Sequence, residues 1–244
     1  MRRLILFLLL LCASPAWGAV AYDSTCSGTT GAATTNTLTF SCTNTAGDFM
    51  LLILGIQTAT TEPSCSAVTY NGVAFATRDS HNMHGDAIHG TEVWHLVAPA
   101  TGANNLIITC NAATTRIVAG VVNVTGANQG AAPLGTVAYL DSGFDSPPSI
   151  VVTSAADELV VAGVVARNDW TSCAAGAGET ERWDTRTTAA SVNLLGCGYT
   201  AAGAATVTVD PTLTGSDDYR SMAGVSIKVA AAAGSADFFT RRRN

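Results

Sequence analysis

Four histidines lie within fifteen residues of the chain, and they are the first residues whose type and spacing suggest chemistry. Imidazole and carboxylate groups are ordinary ligands of zinc and copper, and a glycine-containing loop is able to bring several of them around one ion. We therefore name a candidate zinc or copper site formed by His81, His84, Asp86 and His89. The spacing matches no established zinc signature, so a polar surface loop is the alternative interpretation.

A pair of carboxylates forms the second candidate site. Glu179 and Glu181 lie on one face of the chain if the segment is extended, because side chains alternate along a strand. Glycoside hydrolysis requires two such carboxyl groups, which makes a jelly-roll glycoside hydrolase one hypothesis. In the alternative interpretation, Glu181 pairs with Arg182 or Arg186 across an exposed strand while Trp183 packs inward.

Trp170 is the candidate for binding a glycan, because an exposed indole ring stacks on a sugar ring. The alternative is that Trp170 covers a disulfide near Cys173. No G-x-S-x-G motif and no phosphate-binding glycine loop occurs in the sequence. We therefore predict no catalytic residues and no required cofactor, with the glycan-binding module and the hydrolase kept as alternatives.

The first eighteen residues have the pattern of a Sec-type signal peptide. Arg2 and Arg3 precede an apolar run from Leu4 to Leu11, and a stretch of small residues ends at Gly18. We expect residues 1–18 to be removed and the protein to be extracellular, on the cell surface or in the periplasm. We expect no membrane span, since no later segment of about 20 residues is free of polar side chains.

Six cysteines remain after Cys12 is assigned to the leader, and an even number in an exported chain indicates disulfides. Six thiols allow fifteen pairings, among which the sequence does not choose rigorously. Their order along the chain suggests three pairs of neighbours: Cys26 with Cys42, Cys65 with Cys110, and Cys173 with Cys197. A metal cluster is the alternative, but no C-x-x-C spacing occurs.

The charge balance argues against nucleic acid as a partner. The chain has twelve basic and eighteen acidic residues, and loss of Arg2 and Arg3 leaves ten against eighteen, a formal charge of −8. Such a surface repels phosphate backbones.

Apolar runs and turn residues alternate along the chain in the pattern of an all-β fold. The run from Phe49 to Ile56 is apolar on both faces, which predicts a central strand covered on both sides. Asn71-Gly72 predicts a tight hairpin, and a further strand is predicted from Ala190 to Leu195. Many short strands of this kind predict a two-sheet antiparallel β-sandwich, jelly-roll-like, over residues 19–230. Residues 231–244 are expected to form a flexible Ala-rich tail that ends in Arg-Arg-Arg-Asn.

Five segments of the sequence resemble those of a group of uncharacterised bacterial secreted β-sandwich domains. The resemblance implies a jelly-roll-like fold and an extracellular setting, and it supplies no catalytic residues. It is carried by these segments: Val68 to Ala74, Glu92 to Asn104, Ala132 to Thr136, Gly178 to Asp184 and Gly224 to Lys228.

Together these patterns predict a secreted, non-catalytic structural or adhesive protein of the cell surface, matrix or an appendage. Its expected partner is itself, as a homo-oligomer or filament, or an extracellular glycan. The segment from Ala19 to Thr25 is a candidate for completing the sheet edge of a neighbouring copy.

Overall fold

A computed structural model describes most of the chain between Gly18 and Ala231. The described residues are 18–31, 33–59, 63–76, 80–83, 88–111, 116–142, 147–168, 170–188, 193–215 and 219–231, with the backbone alone at 80–83 and 141–142. The predicted leader before Gly18 and the predicted tail after Ala231 lie outside them.

Eighteen β-strands and no helix occur in the described residues, so the predicted all-β class is confirmed. In the part of the chain that the structure describes, there is no helix long and apolar enough to cross a membrane. The strands are β1 Ala21–Thr29, β2 Thr37–Asn44, β3 Phe49–Gln57, β4 Cys65–Tyr70, β5 Val73–Ala74, β6 Ser80–Met83, β7 His89–Val97, β8 Gly102–Cys110, β9 Arg116–Thr125, β10 Ala138–Ser142, β11 Ile150–Thr153, β12 Leu159–Arg167, β13 Ser172–Ala174, β14 Glu179–Arg186, β15 Leu194–Ala202, β16 Thr206–Val209, β17 Thr212–Thr214 and β18 Arg220–Ile227.

The first nine strands form one unit with two antiparallel sheets. Its inner sheet has the order β1-β9-β3-β7-β6, and its outer sheet has the order β2-β8-β4-β5. Strand β3 is central, and all nine of its residues are buried, as its two-sided apolar sequence predicted. The predicted hairpin joins β4 to β5, with positive φ at both Asn71 and Gly72.

The last nine strands form a second unit on the same plan. Its inner sheet has the order β10-β18-β12-β15-β14. In both inner sheets, the first, last and third strands of the unit lie side by side in that order, and two strands that are neighbours in the chain follow them. Its outer layer consists of β11 paired with β16 and β13 paired with β17. The break between β16 and β17 falls at Asp210-Pro211, where proline removes a backbone donor. The described residues therefore form five antiparallel sheets, an arrangement consistent with the predicted β-sandwich but with more sheets than the predicted two.

Four apolar clusters hold the four layers together. One lies between the outer and inner sheets of the first unit, two lie between the two inner sheets, and one lies between the inner and outer layers of the second unit. The two inner sheets are thus covered on both faces, while each outer layer has one face exposed. This arrangement gives the molecule two outer faces that point in opposite directions.

The inner sheets face each other across an approximate two-fold axis parallel to the strands. Gly55 of β3 lies against Val165 of β12, and Ile53 lies against Gly163, so these equivalent strands face each other. The Thr91 hydroxyl of β7 lies 2.6 Å from the Ser221 hydroxyl of β18. The equivalent contact on the other side of the axis joins β9 to β15 at Val118 and Gly196, so the two units are related as in an isologous dimer.

The three disulfides are the predicted ones. Cys26–Cys42 joins β1 to β2, Cys65–Cys110 joins β4 to β8, and Cys173–Cys197 joins β13 to β15. No disulfide joins the two units, because the first two pairs belong to the first unit and the third belongs to the second.

The first strand is part of its own sheet, which corrects one expectation. β1 pairs with β9 of the same chain over Ala21 to Thr29 and is tied to β2 by the Cys26–Cys42 disulfide. The segment proposed to complete a neighbour's sheet edge therefore completes the edge of its own sheet.

Candidate functional site

The structure places only part of the predicted histidine site. His84 and Asp86 lie outside the described residues, and His81 is placed by its backbone alone, opposite Glu92 in β7. His89 is fully buried at the start of β7, where its ring lies 5.9 Å from that of Tyr219. His95 stacks on Phe49 at 5.4 Å, as expected of a packing residue. The histidine-rich metal site stays a prediction.

Trp170 is 4% exposed and belongs to the core between the layers of the second unit, together with Cys173 and Cys197. The guanidinium of Arg220 lies 5.2 Å from the centre of its indole ring. The indole therefore has no open face on which a sugar ring would stack. This position fits the alternative interpretation, in which Trp170 covers the disulfide.

The two candidate carboxylates occupy strand β14 at the edge of the second inner sheet. Register places Glu179 opposite Ala201 and Glu181 opposite Tyr199. Glu179 accepts hydrogen bonds from the backbone N–H groups of Asp210 at 2.6 Å and Gly176 at 3.1 Å. One of its oxygens thus holds β14 to the turn between β16 and β17, and the other closes the turn that leads into β14. This bonding favours a structural role for Glu179 over that of a catalytic acid or base.

Three carboxyl groups along β14 share a direction of pKa shift. Burial raises the pKa of Glu179, and the neighbouring Asp210 carboxyl adds to the increase against two backbone N–H donors. Burial also raises the pKa of Glu181, and the charge of Asp184 raises it further. For Asp184, burial raises the pKa, while the Cys173 N–H group and Arg186 oppose the rise. These three carboxyl groups of β14 therefore bind protons at a higher pH than isolated carboxyl groups in water do.

These directions predict how stability depends on pH. A carboxyl group with a raised pKa in the folded state stabilises the fold below its unfolded pKa, and that contribution is lost as pH rises through the folded pKa. We therefore expect Glu181→Gln to gain in melting temperature relative to the wild type as pH rises from about 4 to about 7. The gain should be small because Glu181 is exposed. Thermal unfolding followed by circular dichroism measures it.

Asp23 provides a control of opposite sign. Burial disfavours its charged form, but hydrogen bonds from Ala46, Ser24 and Thr45 outweigh this effect, so its pKa is lowered. Asp23→Asn should therefore lose melting temperature relative to the wild type as pH rises. Equal pH profiles for the wild type and Glu181→Gln would contradict the assignment of the β14 carboxyls.

A groove of about 550 Å³ lies beside the open part of strand β4, over the rings of Phe75 and Trp94. Below it, the buried Glu92 accepts hydrogen bonds from the Cys65 N–H at 3.0 Å and the Trp94 Nε1–H at 2.8 Å. Among the described residues the groove lining has no titratable side chain, since Cys65 is in a disulfide. The groove lining combines apolar side chains with the hydroxyl groups of Ser64 and Ser66.

The outer face of the first unit was not predicted as a site. Its central row consists of Thr39, Ile107 and Thr69 on three neighbouring strands, and Ile107 is 37% exposed. In the strands β2, β4, β5 and β8, no residue is charged. The outward side chains on this sheet are Thr37, Thr39, Ser41, Thr43, Ala67, Thr69, Asn105, Ile107 and Thr109.

The opposite outer face has the same chemistry. Val151 is 57% exposed and lies beside Thr208, and Thr153 lies beside Thr206. On the neighbouring pair of strands, Thr212 and Thr214 are exposed. Strands β11, β13, β16 and β17 also have no charged residue. The strands of the two outer layers thus present uncharged, threonine-rich faces in opposite directions.

The sequence of β2 indicates an exposed face, because exposed polar residues alternate with other residues along the strand. Thr37, Thr39, Ser41 and Thr43 alternate with apolar or buried side chains, the pattern of a strand with one exposed face. What the sequence did not reveal is that both outer layers share this composition, because that requires knowing which strands form each layer.

Comparison of the chain with protein-family models, with curated proteins and with solved structures found no match.

Proposed function

We propose that this protein is an exported, non-catalytic structural or adhesive protein that associates with further copies of itself through its two outer faces. The observation that carries the proposal is the pair of neutral, threonine-rich faces on opposite sides of the molecule. Three disulfides agree with export, because such bonds persist in oxidising compartments.

The chemistry of the faces favours contact between protein surfaces. The core of a protein interface is depleted of charged residues, and the strands of both outer faces are uncharged although the chain carries thirty charged side chains. Two exposed apolar side chains, Ile107 on one face and Val151 on the other, supply apolar area among the threonine hydroxyl groups. Such a face accepts a similar face without burying an unpaired charge.

The placement of the faces favours extended assembly. Each copy presents one face to either side, so a contact made by one face leaves the other free for a further copy. Faces that bind in this way without closing a ring produce stacks or filaments. This geometry supports a role in a surface layer, matrix or appendage more directly than a role as a soluble binding module.

A lysine at the centre of each face tests the proposal. We expect Ile107→Lys combined with Val151→Lys to weaken self-association about tenfold or more, because stacking then opposes like charges or buries them. Sedimentation velocity of the mature protein over a range of concentrations measures the effect.

Ala131→Lys combined with Ala132→Lys is the matched control, since it adds the same two charges at exposed positions outside both faces. It should associate as the wild type does. Two results would reject the proposal: a wild-type protein that stays monomeric at millimolar concentration, or equal association of the wild type and the double variant.

A further inference from the structure

One end of the space between the two inner sheets contains buried polar groups without partners. Gln57 ends strand β3, and register places His89 beside it on β7 and Arg116 beside it on β9. Gln57 is 5% exposed, and its side-chain oxygen has no hydrogen-bond partner in the described part of the chain. The Nε–H group of Arg116 is also buried and also lacks an acceptor there. A buried acceptor and a buried donor thus lie unpaired on neighbouring strands.

The second unit supplies the opposite wall of this space. Gly55 of β3 lies against Val165 of β12. Side chains alternate along a strand, so Gln57 and Arg167, each two residues further on, point into the same space. The guanidinium of Arg167 lies 5.1 Å from the centre of the Tyr219 ring, which in turn contacts the ring on β7. We call the following residues the end layer: Gln57, His89, Arg116, Arg167 and Tyr219.

The end layer has an apolar floor. Val118, Val165 and Leu194 form a separate buried cluster between the two inner sheets. Val118 lies two residues from Arg116 and Val165 two residues from Arg167, so the cluster lies directly beneath the layer. Both arginines are only half-buried, so they are accessible from solvent. Polar groups that converge above an apolar floor, at the boundary between two units, are typical of a site for a small ligand.

The composition of the end layer favours an anion. The layer has two guanidinium groups and no acidic residue, although the chain has eighteen acidic residues against twelve basic ones. A carboxylate accepts strong, charge-assisted hydrogen bonds from a guanidinium. The oxygen of Gln57 instead requires a donor, which a hydroxyl group provides. Buried polar groups are rarely left unpaired, and a ligand with a carboxylate and a hydroxyl would pair both at once.

We propose that the end layer binds an acidic sugar through the carboxylate and a ring hydroxyl of the sugar. Arg116 binds the carboxylate, Arg167 adds positive charge from the opposite wall, and Gln57 accepts a hydrogen bond from the hydroxyl. The choice of a sugar rests on the proposed export of the protein, which places the site among extracellular glycans. The site includes no residue of the two outer faces, so sugar binding does not depend on self-association.

Glucuronic acid tests the proposal on the mature protein. We expect it to bind with a Kd of about 1 mM or below. Glucose, which lacks the carboxylate, and acetate, which lacks the hydroxyl groups, should each bind at least about tenfold more weakly. Ligand-observed NMR titrations measure all three. Equal binding of glucuronate and acetate would reject the sugar, and no binding at about 10 mM would show that only a water molecule fills the place.

Three variants separate the end layer from a general effect of charge. Arg116→Gln should weaken glucuronate binding about tenfold or more. Gln57→Glu places a carboxylate of the protein beside Arg116, so it should weaken binding to the same degree while native circular dichroism is kept. Arg182→Gln is the matched control, because it removes the same charge where the arginine donates to the Thr200 hydroxyl at 2.7 Å instead. Unchanged binding in Arg116→Gln, or an equal loss in Arg182→Gln, would overturn the proposal.

A measurement on the wild-type protein does not depend on how any variant folds. His89 belongs to the end layer, whereas His95 stacks on Phe49 outside it. Glucuronate should therefore shift the imidazole NMR resonances of His89 and leave those of His95 in place. A shift at His95 alone would place the ligand elsewhere and reject the site. Sedimentation measures self-association separately, so each of the two proposals can fail without the other.

Discussion

Replacing Gly120 with valine should lower the free energy of unfolding by about 3 kcal/mol or more. Gly120 lies on β9, and the indole of Trp183 lies directly against it, so any side chain there would overlap the ring. Trp183 is 5% exposed and is enclosed on the other side by Gly198. The indole is therefore enclosed between Gly120 and Gly198. Urea unfolding followed by tryptophan fluorescence measures the loss.

A second substitution distinguishes overlap with Trp183 from other effects of the valine. Trp183→Ala alone should cost about 3 to 5 kcal/mol through the cavity that it leaves. The double variant with Gly120→Val should cost less than the two single losses together, because the valine methyl groups enter that cavity. Ala67→Val, on the exposed side of β4, is the control and should change stability by about 0.5 kcal/mol or less. Additive losses would contradict the proposed contact.

Trp183 also explains why the boundaries of one strand were predicted wrongly. Strand β15 contains Gly196 and Gly198, which are typical of turns, so the sequence predicted a strand that ends at Leu195. The structure begins the strand at Leu194 and continues it to Ala202. The glycines are needed because Trp183 of the adjacent strand lies across them. Only the tertiary contact reveals this, so local propensity gave the wrong boundary.

The features that the sequence did predict depend on local or pairwise information. The apolar run of β3 identifies a strand buried on both faces whatever covers it. Asn71-Gly72 identifies its turn through backbone geometry alone. The disulfides followed from pairing cysteines in order, which succeeds here because each pair closes a loop within one unit.

The shared strand order of the two units was not visible in the sequence, because the units complement each other across the axis. At a position where a symmetric dimer would place identical residues face to face, this chain has Gly55 against Val165 and Ile53 against Gly163. A large side chain in one unit requires a small one at the equivalent place in the other. The equivalent strands therefore differ in sequence at the very positions where they touch, although their order in the sheets is the same.

The same complementarity predicts what happens when the chain is divided between Gly130 and Ala131. Each half retains its own disulfides but exposes an inner sheet whose apolar face includes residues such as Phe49 and Leu51 in the first unit or Val161 and Val225 in the second. A face of this kind aggregates or fails to form in water. We expect neither half to fold alone, and we expect the two halves refolded together to recover native circular dichroism as a one-to-one complex.

A sharper test is whether the complex contains one copy of each half or two copies of the same half. A homodimer of either half would pack poorly between its inner sheets. Two copies of the first half would bring Ile53 against Ile53 and leave a void at Gly55, and two copies of the second half would meet the corresponding fault at Val165 and Gly163. Native mass spectrometry of the refolded mixture should therefore find the mixed pair as the dominant species. A stable monomeric half, or homodimers as abundant as the mixed pair, would show that the contact between the inner sheets does not determine this fold. The mixed pair alone would show that each unit is shaped to cover the other, which leaves the two outer faces as the surfaces available to a partner.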